Sequence, residues 1–269
     1  MKKRILPLLI LTALSLLMAA CKPDLAAIQP TAIPTLTTST EAAESAAEES
    51  PEDASLGWWN DAVFYEIFVR SFKDSDGDGI GDFRGIIEML DYLNDGDPNT
   101  TSDLGITGIW LMPIFPSPSY HGYDVTDYKA VNPDYGTLQD FQDLLEACHE
   151  RGIRVIVDFV INHTSSEHPW FVSSKNEASE YRSWYVWSDT KLTQTGPWGQ
   201  NAWYESGGSF YYAPFWSGMP DLNYKEPKVT EAMYDATKFW LDMGVDGFRV
   251  DAARYLVEEG ATLQDAQGS

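Results

Sequence analysis

Cysteine is almost missing from this chain: Cys21 and Cys148 are the two in 269 residues. A disulfide framework is therefore not what holds the fold together. Positive charge is scarce as well, with 18 Lys and Arg against 41 Asp and Glu and a formal net charge of −23. That balance makes nucleic acid an improbable partner and argues against a polyanionic substrate, while favouring solubility and cation binding. Long apolar runs are lacking too. The one present, Ile5 to Met18, is interrupted by Pro7 and is too short and one-sided for a stable membrane span.

That run belongs to an address. Lys2, Lys3 and Arg4 precede it, and Ala19 and Ala20 follow it immediately before Cys21. A cysteine directly after a small pair looks like a bacterial lipoprotein cleavage site, so residues 1–20 are expected to be removed and Cys21 to carry lipid; the alternative is a plain secretory leader. The expected location is the cell surface, on a bacterial membrane. Residues 21–56 are rich in Thr, Ala, Pro, Ser and Glu with almost no large apolar side chain. Such a stretch cannot bury enough surface to offset its ordering entropy and is expected to be a disordered tether. Cys148, left without a partner and flanked by Leu144, Leu145 and Ala147, reads as a small buried helix residue. Nothing calls for a second copy, and a monomer is expected.

From Gly57 the aromatic residues become dense and a globular domain begins. Apolar patterning predicts strands over Ala62–Val69, Leu104–Pro113, Ile153–Val160 and Val245–Val250. It predicts helices over Phe83–Leu93, Leu138–Arg151 and Lys228–Met243. Gly105, Gly152 and Gly244 each stand just before a strand, and the last two directly follow a helix, where a left-handed cap would sit. Buried strands entered from helices imply parallel βα units. The interval from Gly152 to Gly244 is about twice that from Gly105 to Gly152; the excess, about 163–222, is Trp/Tyr/Gly-rich without a clear helix and reads as a loop-rich insertion after the third strand.

Three stretches carry chemistry. Asp74, Asp76 and Asp78, with Gly79, Ile80 and Asp82, set carboxylates at positions one, three, five and nine, Gly at six and a carbonyl at seven, the pattern of a hard-cation loop. Ca2+ is the expected ion, although position twelve is Gly85 and not Glu, so this is no EF-hand; the alternative is a solvated acidic turn. Asp158, Asn162 and His163 end the third strand. At the end of the fourth, side-chain alternation puts Arg249 and Asp251 on one face, opposite Phe248 and Val250. A guanidinium there can hold a carboxylate ionised and oriented, as a strand-end nucleophile in an α/β barrel requires, although strand-end ion pairs are also common as structural elements. Ten Trp and fourteen Tyr would suit stacking on a neutral sugar ring.

Asp158 to His163 and Gly247 to Arg254 resemble the first two sequence signatures of the α-amylase family, glycoside hydrolase family thirteen. Gly105–Pro113, His121–Tyr128 and Met219–Asn223 resemble further family stretches in the correct order, and the acidic loop is similar to one on the oligo-1,6-glucosidase side of the family. The resemblance implies a (β/α)8 TIM barrel of which residues 57–269 would supply four strands, with a small inserted domain after the third. It implies a retaining α-glucan hydrolase, α-amylase first and exo-acting α-glucosidase or oligo-1,6-glucosidase second; a non-catalytic carbohydrate-binding relative is the third reading. Asp251 would be the nucleophile, held by Arg249. Asp158 would brace Arg249, His163 and Asp124 would bond the sugar, and Tyr123 would stack on it. The family's acid Glu and a third Asp fall in stretches this sequence does not contain, so the chain by itself is expected to be inactive.

Overall fold

A computed structural model describes residues 57–257. The expected leader, lipidated Cys21 and tether lie outside the described residues, as do residues 258–269. No helix among the described residues is long and apolar enough to cross a membrane.

Four parallel strands organise the fold: β1 (Phe64–Ile67), β2 (Gly108–Leu111), β3 (Arg154–Phe159) and, last in the chain, β7 (Gly247–Val250), in the order β1-β2-β3-β7. Each is shorter than the apolar run that announced it. The chain leaves β1 into a short 3-10 turn at Val69–Ser71, and β2 begins only after Gly105 has turned the backbone at φ +61°. Residues facing away from the strand-end site pack beneath the sheet, among them Ile67, Leu111, Val155 and Val157, all essentially buried.

The helices between the strands follow from their sequences. In α3 (Leu138–Glu150), Thr137 and Asp140 form a reciprocal capping box, and Phe141, Leu144, Leu145 and Cys148 are buried at i, i+3, i+4 and i+7. Each such large apolar side chain contributes roughly 1.5–3 kcal/mol. Burial pushes the Cys148 thiol up to about 12, so it is a packing residue and not a nucleophile. In α5 (Pro227–Met243), Pro227 opens the helix, Val229, Met233, Ala236 and Trp240 face the core, and Gly244 closes it at φ +111°. The single helix expected over 83–93 is two: α1 (Phe83–Glu88) and α2 (Leu90–Leu93), bent at Met89 (φ −100°, ψ 2°) so that Ile86, Leu90 and Leu93 stay buried.

The stretch between β3 and α5 is more regular than its composition suggested. It contains a short helix, α4 (Pro169–Ser174), started by His168, whose Nδ1 accepts the Trp170 N–H at 3.1 Å. It also contains an antiparallel sheet of β4 (Trp187–Ser188), β5 (Trp203–Ser206) and β6 (Ser209–Tyr212), in the order β4-β6-β5. The expectation of a helix-free stretch is corrected by α4: Pro169 at its first position and a hydrogen-bonding side chain just before it are sufficient start signals for a helix that buries only Phe171 and Ser174. Phe171, Trp184, Tyr185, Tyr211 and Leu222 from this stretch join the same core cluster as the residues under the parallel sheet.

Candidate active site

Strand pairing decides which side chains meet. Asp158 on β3 pairs in register with Arg249 on β7, so the two emerge side by side on one face of the sheet. Arg249 Nη1 donates to Asp158 Oδ1 at 3.1 Å and Oδ2 at 3.2 Å, and to Asp251 Oδ1 at 2.6 Å. One guanidinium thus spans a carboxylate below it and one above it. Its carbon lies 5.2 Å from the Trp110 ring centre, within cation–π range. Asp251 itself is fixed through the backbone, its N–H donating to Phe159 O at 3.1 Å. Ala252, just after it, is in the left-handed region (φ +50°, ψ 27°), the one non-glycine residue with positive φ among the described residues.

The two carboxylates differ in environment. Asp158 is fully buried, and burial pushes it up to about 6 despite the neighbouring Arg249 and the Tyr123 hydroxyl, which donates to Asp158 Oδ2 at 3.0 Å. Asp251, one-fifth exposed at its side chain, faces a cleft of about 550 Å3. Burial opposes the charge on Arg249, but Asp158 and Asp251 together raise its pKa above the ordinary value. Burial, reinforced by Asp158, also raises the Tyr123 phenol, which therefore stays a donor.

His163 lies just beyond β3, buried and lining the same cleft. Burial lowers its pKa to about 4, and its Nε2 has no hydrogen-bond partner among the described residues. A neutral imidazole edge without a protein partner, beside a carboxylate in a cleft, is placed to bond a ligand hydroxyl. Its main chain is held from behind: the Tyr128 hydroxyl donates towards His163 O (2.7 Å) and Val160 O (2.9 Å). Asn162, left unassigned by the sequence, donates to Asp221 Oδ1 at 3.0 Å and so ties the end of β3 to the start of the Asp221–Asn223 stretch.

Of the expected site residues, Asp251, Arg249, Tyr123 and His163 therefore converge. Asp124 does not line the cleft; it is buried behind Tyr123, its Oδ1 taking the hydroxyls of Ser117 (2.5 Å) and Ser119. Sequence reasoning did not single out Trp198, Phe215, Trp216 and Tyr255, which form the aromatic wall opposite Asp251. For the first three the aromatic density of 163–222 was the signal; Tyr255, just past the fourth strand, had none. His121, another lining residue, receives the Tyr123 N–H on Nδ1 at 3.1 Å and so shapes the turn that carries the tyrosine.

The acidic loop after β1 is preorganised. Gly77 and Gly79, at φ +87° and +93°, turn their N–H groups onto Asp74, at 2.6 and 2.8 Å, and these bonds hold its pKa below the usual carboxylate range. Asp74, Asp76 and Asp78 each offer a carboxylate oxygen within 4.8 Å of the others, a donor set of the right chemistry for a hard cation. Asp82 stands apart from that group. It is the N-cap of α1, taking Gly85 N (2.7 Å), Ser75 N (2.8 Å) and Ser75 Oγ (2.8 Å), and so also closes the loop onto the helix. Ile80 donates its N–H to Asp78 Oδ1 at 2.7 Å.

A parallel sheet entered from helices, with charged side chains gathered at the C-terminal ends of its strands, is part of an α/β barrel of the TIM type, whose sites lie at that end. Residues 66–267 match the family described as "Alpha amylase, catalytic domain", and the chain belongs to that family. It is 52% identical over 203 residues to Alpha-amylase 3 of Dictyoglomus thermophilum, covering 75% of this chain and 38% of that protein. It is 47% identical to a probable oligo-1,6-glucosidase 2 of Bacillus subtilis, covering 72% and 35%. The crystal structure of an α-amylase from H. orenii superposes with a TM-score of 0.70 at 60% identity, covering 73% of this chain and 41% of that one. The chain thus spans about two fifths of the length of these relatives.

Proposed function

We propose that the protein is a retaining glycoside hydrolase of α-glucans, with Asp251 as the nucleophile. The carrying observation is Arg249 clamped between buried Asp158 and cleft-facing Asp251. A carboxylate so held keeps its charge and its aim at an anomeric carbon. Tyr123 supplies a ring for the sugar to stack on. His163 supplies a neutral edge for its hydroxyls, while Asp124, which does not line the cleft, is left with the hydroxyls of Ser117 and Ser119. The second carboxyl group of a retaining pair, about 5–5.5 Å from the first, donates the proton to the leaving oxygen. Among the described residues lining the cleft Asp251 is the sole carboxylate, so the acid would come from outside that lining, in another part of the barrel. The stretch 163–222 is read as the family's inserted domain.

Ca2+ would be held by Asp74, Asp76 and Asp78 with the Ile80 carbonyl and Asp82, neutralising the loop's repulsion. Its role is structural. The reading places the enzyme on a bacterial surface through lipid on Cys21, acting as a monomer on starch-like glucans or maltooligosaccharides. Endo action, as in the α-amylases, is the first reading. Exo action on a chain's non-reducing end is the second, supported by the Tyr123–Asp124 pair. In the complete enzyme Asp251→Asn should remove essentially all turnover of maltooligosaccharides while leaving their binding largely intact. Wild-type turnover with only a lowered melting temperature would make Arg249–Asp251 a structural pair and end the proposal. Blocking the non-reducing end of the substrate separates the two modes, since only endo action survives it.

A further inference from the structure

We propose that a second cleft, sharing no lining residue with the first, binds a glucosyl unit of an α-glucan chain. It has a volume of about 360 Å3 and lies between the loop carrying Asp127, Tyr128 and Lys129, the start of α4, and α5. That volume is at the small end of the range for small-molecule sites, about 300–1,000 Å3. Its centre is a buried donor. His168 is only 4% exposed, and burial lowers its pKa to about 4, so the ring is neutral. Its Nδ1 is occupied by the Trp170 N–H, which leaves the ring proton on Nε2. No group among the described residues accepts from that Nε2, although His168 lines the cleft.

The remaining lining narrows the ligand. An anion is disfavoured because Lys129, the one cation, is already paired with Asp235, and Asp127 adds a further negative charge. A metal ion is disfavoured because these carboxylates do not converge with a third ligand; the single convergent set among the described residues is in the loop after β1. A lipid chain would strand the His168 donor without a partner. What remains is one N–H donor, one carboxylate acceptor, and a partly exposed Trp170 indole backed by the Tyr128 ring at 5.9 Å, above a floor of Ala232 and Ala236 on α5. A neutral sugar satisfies all of it, placing its C–H face on the indole and its edge hydroxyls on His168 and Asp127. That the sugar is glucose in an α-glucan rests on the proposed function.

The test is calorimetric titration of the complete enzyme with maltotriose, in an Asp251→Asn background so that nothing is consumed. Two sites per chain are expected. Trp170→Ala should weaken one of them at least tenfold and leave the other unchanged. Because Trp170 also packs inward, Ala232→Trp provides a second variant that fills the cleft from α5 and leaves the indole in place; it too should abolish one site. A single site in the parent, or two sites surviving Ala232→Trp, overturns the inference. Wild-type hydrolysis with only one site overturns it while keeping the proposed function. Absence of hydrolysis by the complete enzyme, with acid and nucleophile both present, together with an Ala232→Trp-sensitive site overturns the proposed function and keeps the second cleft.

Discussion

Between about pH 4 and 6 the stability of this fold should depend on three buried groups that pull in opposite directions. Burial lowers His163 and His168 from 6.5 to about 4 and raises Asp158 from 3.8 to about 6. The histidines, depressed in the folded state, contribute stability that is full above 6.5 and is lost as pH falls towards about 4. Asp158, raised in the folded state, contributes in the other sense: its share is full below 3.8 and is lost as pH rises through about 6. At about pH 5, unfolding therefore takes up two protons on the imidazoles and releases one from Asp158, a net uptake of about one. The slope from this trio is about +1.4 kcal/mol per pH unit. Carboxylates lowered in the fold, such as Asp82, Asp140 and Asp246, titrate below this window in both states.

Urea unfolding followed by tryptophan fluorescence, repeated at intervals across the window, measures that slope. His168→Gln, which keeps an acceptor for the Trp170 N–H, should flatten it by about 1.4 kcal/mol per pH unit, and Asp158→Asn should steepen it by a similar amount. The change in slope is diagnostic even if the variant is less stable throughout. If Asp158→Asn flattens the profile, Asp158 is ionised throughout in the folded state. The attraction of Arg249 would then outweigh burial, and the reasoning above would be wrong.

Three other outcomes follow from local geometry. Ala252→Val should lower the unfolding free energy by about 1–2 kcal/mol or more, because a β-branched residue is forced to φ +50°, whereas Ala252→Gly should be tolerated; equal melts for the two would refute the backbone argument. Gly85→Ala should cost about 1–3 kcal/mol, since its Cβ would fall 1.9 Å from the Lys73 carbonyl oxygen; an unchanged melting temperature would mean that the loop yields freely. Chelation should lower the melting temperature of calcium-loaded protein, and Asp76→Ala with Asp78→Ala should abolish that sensitivity; a melt indifferent to EDTA makes the loop a solvated turn.

The parallel strands and the two long helices were legible because one local rule dominates each. Continuous apolar runs bounded by Gly105, Gly152 and Gly244 can be little else than buried strands entered from helices, and all three glycines adopt positive φ. The face shared by Arg249 and Asp251 followed from alternation alone. The bend at Met89 was not legible, since both halves of the broken helix keep the same buried periodicity. Nor was the sheet of β4, β5 and β6, whose strands are two to four residues long and pair across turns rather than through a pattern that repeats. The aromatic wall of the cleft was hidden for a related reason. Trp198 and Trp216 are exposed and obey no core periodicity, so only three-dimensional proximity to Asp251 distinguishes them from ordinary surface residues.

If the proposed function holds, charge counting accounts for how a cleft built this way would suit a cationic transition state. Tyr123 is neutral and His163 is neutral, because burial moves each pKa in the direction that disfavours the charged form. Arg249 contributes one positive charge, and Asp158 and Asp251 one negative charge each when ionised. The cleft wall then carries a net charge of minus one, concentrated on the exposed member of the pair because Asp158 is fully buried and already satisfied by Arg249 and Tyr123. A guanidinium facing Asp251 alone would neutralise it; shared with Asp158, it orients Asp251 without cancelling the negative field. On the proposed function, an oxocarbenium-like centre forming beside Asp251 would meet that field in a cleft walled by aromatic rings. On the proposed function, Asp158 would matter to the chemistry without touching the substrate: it sets how much of Arg249 is left for Asp251.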